Sequence, residues 1–163
     1  MVNGDLYDED DEDTQKDKYL TFQLADEEYG IEIYHVTEVV GLQKITSVPD
    51  MPDFIKGVIN LRGQIIPVMD VRLRFHMPVR DYDERTCVVV VNIQETAIGL
   101  VVDEVNEVLD IPEDRIDPPP RISRRASNRF ISGLGKTGDK VTIILDVQKL
   151  LYENELDQIS VAV

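Results

Sequence analysis

The chain has 163 residues, 42% hydrophobic and 30% charged, with a formal net charge of −15; this is the make-up of a globular protein sized for one ordinary domain or two small barrels. That charge repels a phosphate backbone and excludes nucleic acid as the main partner, even without the seven carboxylates crowded into residues 5–13. No apolar run approaches the roughly 20 residues of a bilayer-spanning helix, so direct membrane insertion is not expected.

Residues 1–16 are polar and like-charged and are expected to form a flexible acidic tail. Within them Asp8-x-Asp10-x-Glu12 lacks the glycine and the distal glutamate of a calcium loop. Acids at the start, rather than a basic region and an apolar run, speak against a signal peptide. From Tyr19 the pattern turns to strands: Leu20, Phe22 and Leu24 alternate with polar neighbours, Asp26-Glu27-Glu28 turns, and Tyr29 to Ile33 returns. Val36 to Val40 reads as one turn leading into a strand. Pro49 and Pro52 bracket a loop. Residues 57–61 and 64–69 make a hairpin around Arg62-Gly63, with Pro67 expected at an edge or a bulge. Asp70 is placed to cap a short helix to about His76, and a polar linker from Arg80 to Arg85 follows.

The second half repeats the plan. Strands are expected near 86–93, 96–103, 130–136 and 140–146, with Pro112 and Pro118-Pro119-Pro120 marking a long connection. Asp146 is expected to start a last helix through Tyr152, with Val147, Leu150 and Leu151 as its apolar face. The likeness extends to residue types: Gly30-Ile31-x-Ile33-x-x-Val36-x-Glu38 returns as Gly99-Leu100-x-Val102-x-x-Val105-x-Glu107, a shift of 69. Phe54-Ile55-x-Gly57 returns as Phe130-Ile131-x-Gly133, a shift of 76. Two copies are too few for a solenoid, and short strands with glycine turns indicate barrels, so two similar β units sharing a seam are expected. The division is residues 17–84 for the first barrel and 85–152 for the second, with strands open to exchange at the boundary, and 153–163 as a C-terminal tail.

No catalytic constellation emerges, and neither enzyme activity, cofactor nor metal is expected. Gly133-Leu134-Gly135-Lys136-Thr137-Gly138 has Phe130 where a phosphate loop needs glycine, and a strand rather than a helix after it. His35 and His76 lack a second ligand at metal spacing. Cys87, the single cysteine, excludes an internal disulfide, fits a reducing compartment and reads as a buried strand thiol. Arg121, Arg124, Arg125 and Arg129 form a basic stretch without interleaved aromatics, read as a solvated loop, local counter-charge or contact for an acidic partner. Glu38 and Arg62 are singled out as an ion pair poised for a partner if the fold brings them to one face.

Glu28-Tyr29-Gly30-Ile31-x-Ile33, Val36-x-Glu38-Val39, Phe54-Ile55-Lys56-Gly57-Val58-x-Asn60-Leu61-Arg62-Gly63 and Ile66-Pro67-Val68-x-Asp70-Val71-Arg72, with Gly133-Leu134-Gly135, together resemble the CheW family over residues 19–152. The resemblance implies an all-β fold of two SH3-like five-stranded β-barrels joined along an apolar seam, with short helices including one near the C-terminus. It also implies a cytoplasmic, non-enzymatic adaptor of bacterial chemotaxis. Such an adaptor holds the regulatory domain of a CheA-type histidine kinase against the cytoplasmic tips of methyl-accepting chemoreceptors, with an inter-barrel groove for the receptor hairpin. Carried onto this sequence, Val36, Glu38, Gly57, Arg62, Gly63 and Val105 are the candidate receptor or kinase contacts. The alternative is a CheW-like scaffold module of another two-component signalling complex.

Overall fold

The structure, a computed structural model, describes residues 15–119 and 129–162. Eleven strands are found among them: β1 (Lys18–Leu24), β2 (Glu27–Glu32), β3 (Val36–Gly41), β4 (Ile55–Leu61), β5 (Gln64–Asp70), β6 (Cys87–Ile93), β7 (Thr96–Val102), β8 (Glu104–Asp110), β9 (Ile116–Asp117), β10 (Ile131–Thr137) and β11 (Lys140–Leu145). Two helices accompany them, α1 (Val71–Arg74) and α2 (Glu153–Ala162).

The strands form two sheets, ordered β8-β1-β2-β11-β10-β9 and β3-β6-β7-β5-β4. The repeat turns one order into the other: β1, β2, β8, β10 and β11 are the mates of β6, β7, β3, β4 and β5. The fold is all-β and SH3-like in both units, with the two-residue β9 as a sixth strand on one of them. The boundary at residues 84 and 85 divides the sequence but not the sheets. The first hairpin of each half lies in a sheet completed by strands of the other half: β8, β11, β10 and β9 around β1–β2, and β3, β5 and β4 around β6–β7. β2 and β11 pair in parallel, as do β7 and β5, and with the antiparallel ladders β1–β8 and β3–β6 these are the joins between the halves.

Burial follows from that exchange. In β6 the valines alternate between two cores, so its four-valine run is apolar on both faces. Val88 and Val90 fill one barrel with Ile59, Leu61, Ile66 and Val68. Val89 and Val91 point into the seam, with Leu20, Phe22 and Leu24 of β1 and Leu100 of β7. Tyr19, Ile111 and Ile144 fill the other barrel. Burying one Leu or Val side chain stabilises by about 1.5–3 kcal/mol, so the seam ties the barrels firmly. Cys87 opens β6 half-buried, its thiol donating to the Arg85 carbonyl at 3.3 Å.

Two local expectations need correction. Pro67 lies in β5, which runs between β4 and β7 and is no edge. Its missing N–H is tolerated because the β7 ladder begins only at Val68. The last helix is not at residues 147–152. Asp146 does cap, accepting from the Gln148 N–H, but the turn it starts is a 3-10 turn, Val147–Lys149. The α-helix follows at Glu153–Ala162, where a tail was expected. Asp70 caps α1 as expected, accepting from the Arg72 N–H at 2.9 Å.

Candidate partner-binding surface

Glu38 and Arg62 meet. The turn Arg62-Gly63 has positive φ at both positions, +53° and +87°, the two-residue form that suits the twist of a hairpin. The Gly63 N–H donates to Asn60 Oδ1 at 2.8 Å, which fixes the tip. From it the Arg62 guanidinium donates to the Glu38 carboxylate on β3, and this hydrogen bond raises the guanidinium pKa further. β3 and β4 are the two outer strands of their sheet, so the pair draws the barrel shut at an exposed end. Arg62 is 68% exposed and Glu38 30%, leaving the cation open to a partner. In the other barrel Glu107 takes the place of Glu38, and Gly138 stands where Arg62 would be.

The remaining candidates are not brought to that tip. Val36 and Val105 are repeat mates, each half-buried against the seam core, opposite Val91 and Phe22 respectively. Both stand at a register break, between Val36 and Glu38 on β3 and opposite Leu20 and Phe22 on β8. Gly57 is buried, with φ +148°, and a Cβ there would lie 2.1 Å from the Thr46 carbonyl oxygen. That carbonyl accepts from the Val58 N–H at 2.9 Å, so Gly57 lets a neighbouring segment bridge onto β4. Its mate Gly133 does the same beneath Ile116 and Asp117 of β9.

One feature escaped the sequence reading. Val39 and Ile65 are 40% and 42% exposed, and their repeat mates Val108 and Val141 are each 50% exposed. Each barrel therefore presents a matched aliphatic pair to solvent. Apolar residues kept at the outward phase of both copies were the available signal.

A second unforeseen feature is ionic. Asp103, 9% exposed, accepts from Arg72 Nε at 2.8 Å and Nη2 at 2.6 Å, from the Ala25 N–H at 2.8 Å and from Arg80 at 3.3 Å. Burial pushes the Asp103 carboxyl up, but the hydrogen bonds from Arg72 and Ala25 and the charges of Arg72 and Arg80 outweigh it, and the net shift is downward. The expected linker is thus a strap. Arg72 also donates to the Pro78 carbonyl at 3.0 Å, and the Tyr82 hydroxyl donates to Asp70 at 2.6 Å. Burial and that carboxylate push the phenol pKa upward.

Gly133 to Gly138 lies on β10 and its turn, a strand rather than a phosphate loop. His35 and His76 sit in different neighbourhoods, and among the described residues no group of three potential metal ligands converges. Arg129 stacks on Tyr152 at 3.8 Å. Arg121, Arg124, Arg125 and the acidic stretch before residue 15 lie outside the described residues.

A family model described as the CheW-like domain matches residues 18–155. The Chemotaxis protein CheW of Klebsiella aerogenes is 40% identical over 144 residues, covering 88% of this chain and 87% of its own length. That of Treponema pallidum is 30% identical over 145 residues, covering 86% and 85%. The crystal structure of the scaffolding protein TtCheW from Thermoanaerobacter tengcongensis superposes with a TM-score of 0.78 at 41% identity, covering 85% of this chain and 94% of that one. Since the matched stretch runs through every strand of both sheets, the chain belongs to the CheW-like domain family.

Proposed function

We propose that the protein is a non-catalytic, cytoplasmic adaptor of chemotaxis, coupling a CheA-type histidine kinase to the tips of methyl-accepting chemoreceptors. The observation that carries this reading is the exposed end of the β3–β7 barrel. Arg62 is oriented there by Glu38, and the same barrel also exposes the aliphatics Val39 and Ile65. A pre-oriented arginine and exposed aliphatics are the residue types a protein-docking face uses, the aliphatics for contact and the charge for orientation. The repeat mates Val108 and Val141 are exposed on the second barrel, which offers apolar contact for a second partner. Half-buried Val36 and Val105 line the seam, where a receptor's helical hairpin is proposed to lie in helix-in-groove fashion.

The test is a pull-down with a receptor cytoplasmic fragment and the kinase, comparing wild type with Arg62→Ala and Glu38→Ala. Both variants are expected to fold normally, because exposed ion pairs contribute little to stability. Ternary assembly is expected to weaken by about tenfold or more, as for a truncated interface arginine. Full assembly and full kinase control in both variants would remove these residues from the docking face. Unfolding of either would make the pair structural instead.

A further inference from the structure

Two segments carry the chain from one barrel to the other, and the repeat makes them mates: Ile33–His35 between β2 and β3, and Asp103 between β7 and β8. Tyr34 in the first corresponds to Asp103 in the second. Beside each lies a hairpin-turn residue, Gln94 or its mate Ala25, and a residue just past a capping aspartate, Gln148 or its mate Arg72. The molecule thus holds two versions of one constellation.

At Asp103 the constellation is covered by the strap, residues 77–83, whose Arg80 reaches the carboxylate. At Tyr34 the supports are in place, but among the described residues no segment takes the strap's position. The Gln148 side-chain carbonyl accepts from the Gln94 N–H at 2.8 Å. Its amide donates to the Asn92 carbonyl at 3.0 Å and lies 3.4 Å from His35 Nδ1. His35 in turn meets Tyr34 edge-on, with ring centroids 5.2 Å apart. Tyr34 is 73% exposed, at the rim of an open concavity of about 710 Å³ lined also by Asn92, Gln94, Glu95 and Gln148. The segment that follows the second copy, where the strap follows the first, is α2. It packs instead against Arg74, through Glu155.

We propose that this concavity docks an arginine-bearing segment of a partner protein, in the position that residues 77–83 occupy over Asp103. The covered copy supplies the chemistry: a segment outside helix and strand whose guanidinium meets an electron-rich group at the crossing. There the group is the Asp103 carboxylate; here it is the face of Tyr34, with Glu95 beside it. A chain of net charge −15 attracts such a cation. His35, itself beside Gln148, meets the ring edge-on, which reduces the side-chain freedom lost on binding. This site is separate from the barrel-end faces, and its failure leaves the adaptor reading standing.

The experiment titrates the ¹⁵N-labelled full-length protein with a capped peptide of residues 77–82, and with the same peptide carrying Arg80→Ala. The expected result is saturable shifts at the amides of Tyr34, His35, Gln94 and Gln148. Binding should be at least about fivefold weaker for the arginine-free peptide, kept in Tyr34→Phe and lost in Tyr34→Ala. Absence of shifts at those amides would overturn the proposal. So would equal binding of both peptides, or undiminished binding by Tyr34→Ala.

Discussion

Gly57 and Gly63 stand in one hairpin under different constraints. Both have a positive φ that other residues resist, but a methyl at Gly57 would also collide with the backbone of Thr46, whereas around Gly63 there is open space. Gly57→Ala is expected to destabilise by about 3 kcal/mol in urea unfolding, and Gly63→Ala by about 1 kcal/mol. Loss of partner binding in Gly57→Ala would therefore report damage to β4 rather than a lost contact. Asp103 makes a second prediction. Its folded-state pKa lies below the ordinary value of 3.8, so its contribution is present above that value and is lost as pH falls through the folded one. Asp103→Asn should be less stable than wild type by about 3 kcal/mol at neutral pH. The gap should close below about pH 4, as read by unfolding curves across pH. The Glu38–Arg62 pair was legible in sequence because an arginine at a hairpin tip faces few directions. Asp103 was not, because nothing local distinguishes it from a solvated turn acid; its partners Arg72, Ala25 and Arg80 come from the other half of the chain.

Most strands were readable from period-2 alternation and glycine turns, and β6 was readable although both of its faces are apolar. A helix near the C-terminus was expected and is present, but it starts later than the residues read for it. Val147, Leu150 and Leu151 suggested a helix by their apolar spacing, and they are buried, yet they sit on a 3-10 turn and its exit. α2 lies beyond them, held from outside. Arg74, itself buried, donates to the Leu150 carbonyl at 2.8 Å and to both Glu155 oxygens, at 2.8 and 3.1 Å. Its guanidinium lies over Phe54 at 4.1 Å and near Phe130 at 4.9 Å, which are repeat mates. Ten residues are too short to remain helical alone, so α2 persists only while docked. Glu155→Gln keeps the shape and removes the charge. Amides of α2 are expected to exchange about tenfold faster in that variant, with β6 and β7 unchanged in the same hydrogen-exchange measurement. Faster exchange throughout the sheets would instead make the Arg74 contact a keystone of the whole fold.

The repeat announced two alike units but not their partition, since equal halves fit equally well as neighbours or as exchanged partners. The ladders that cross between the halves, β2–β11, β5–β7, β1–β8 and β3–β6, decide between those arrangements. Neither half is self-sufficient in the exchanged arrangement. Residues 17–84 and 85–152 expressed separately are expected to show no cooperative thermal transition by circular dichroism, and to regain one when mixed. A cooperative transition in either fragment alone would mean that its strands also pair without the partner half.

The same interlacing sets an order of events on the ribosome. All five strands of the β3–β7 sheet exist once residue 102 has emerged, whereas the other sheet waits for β11 to end at residue 145. Meanwhile β1 and β2, the earliest strands made, hold both outer edges unzipped, a window in which strange strands can attach. An acidic leader beside that waiting hairpin would keep nascent chains apart by simple repulsion, a service rendered before the finished protein exists.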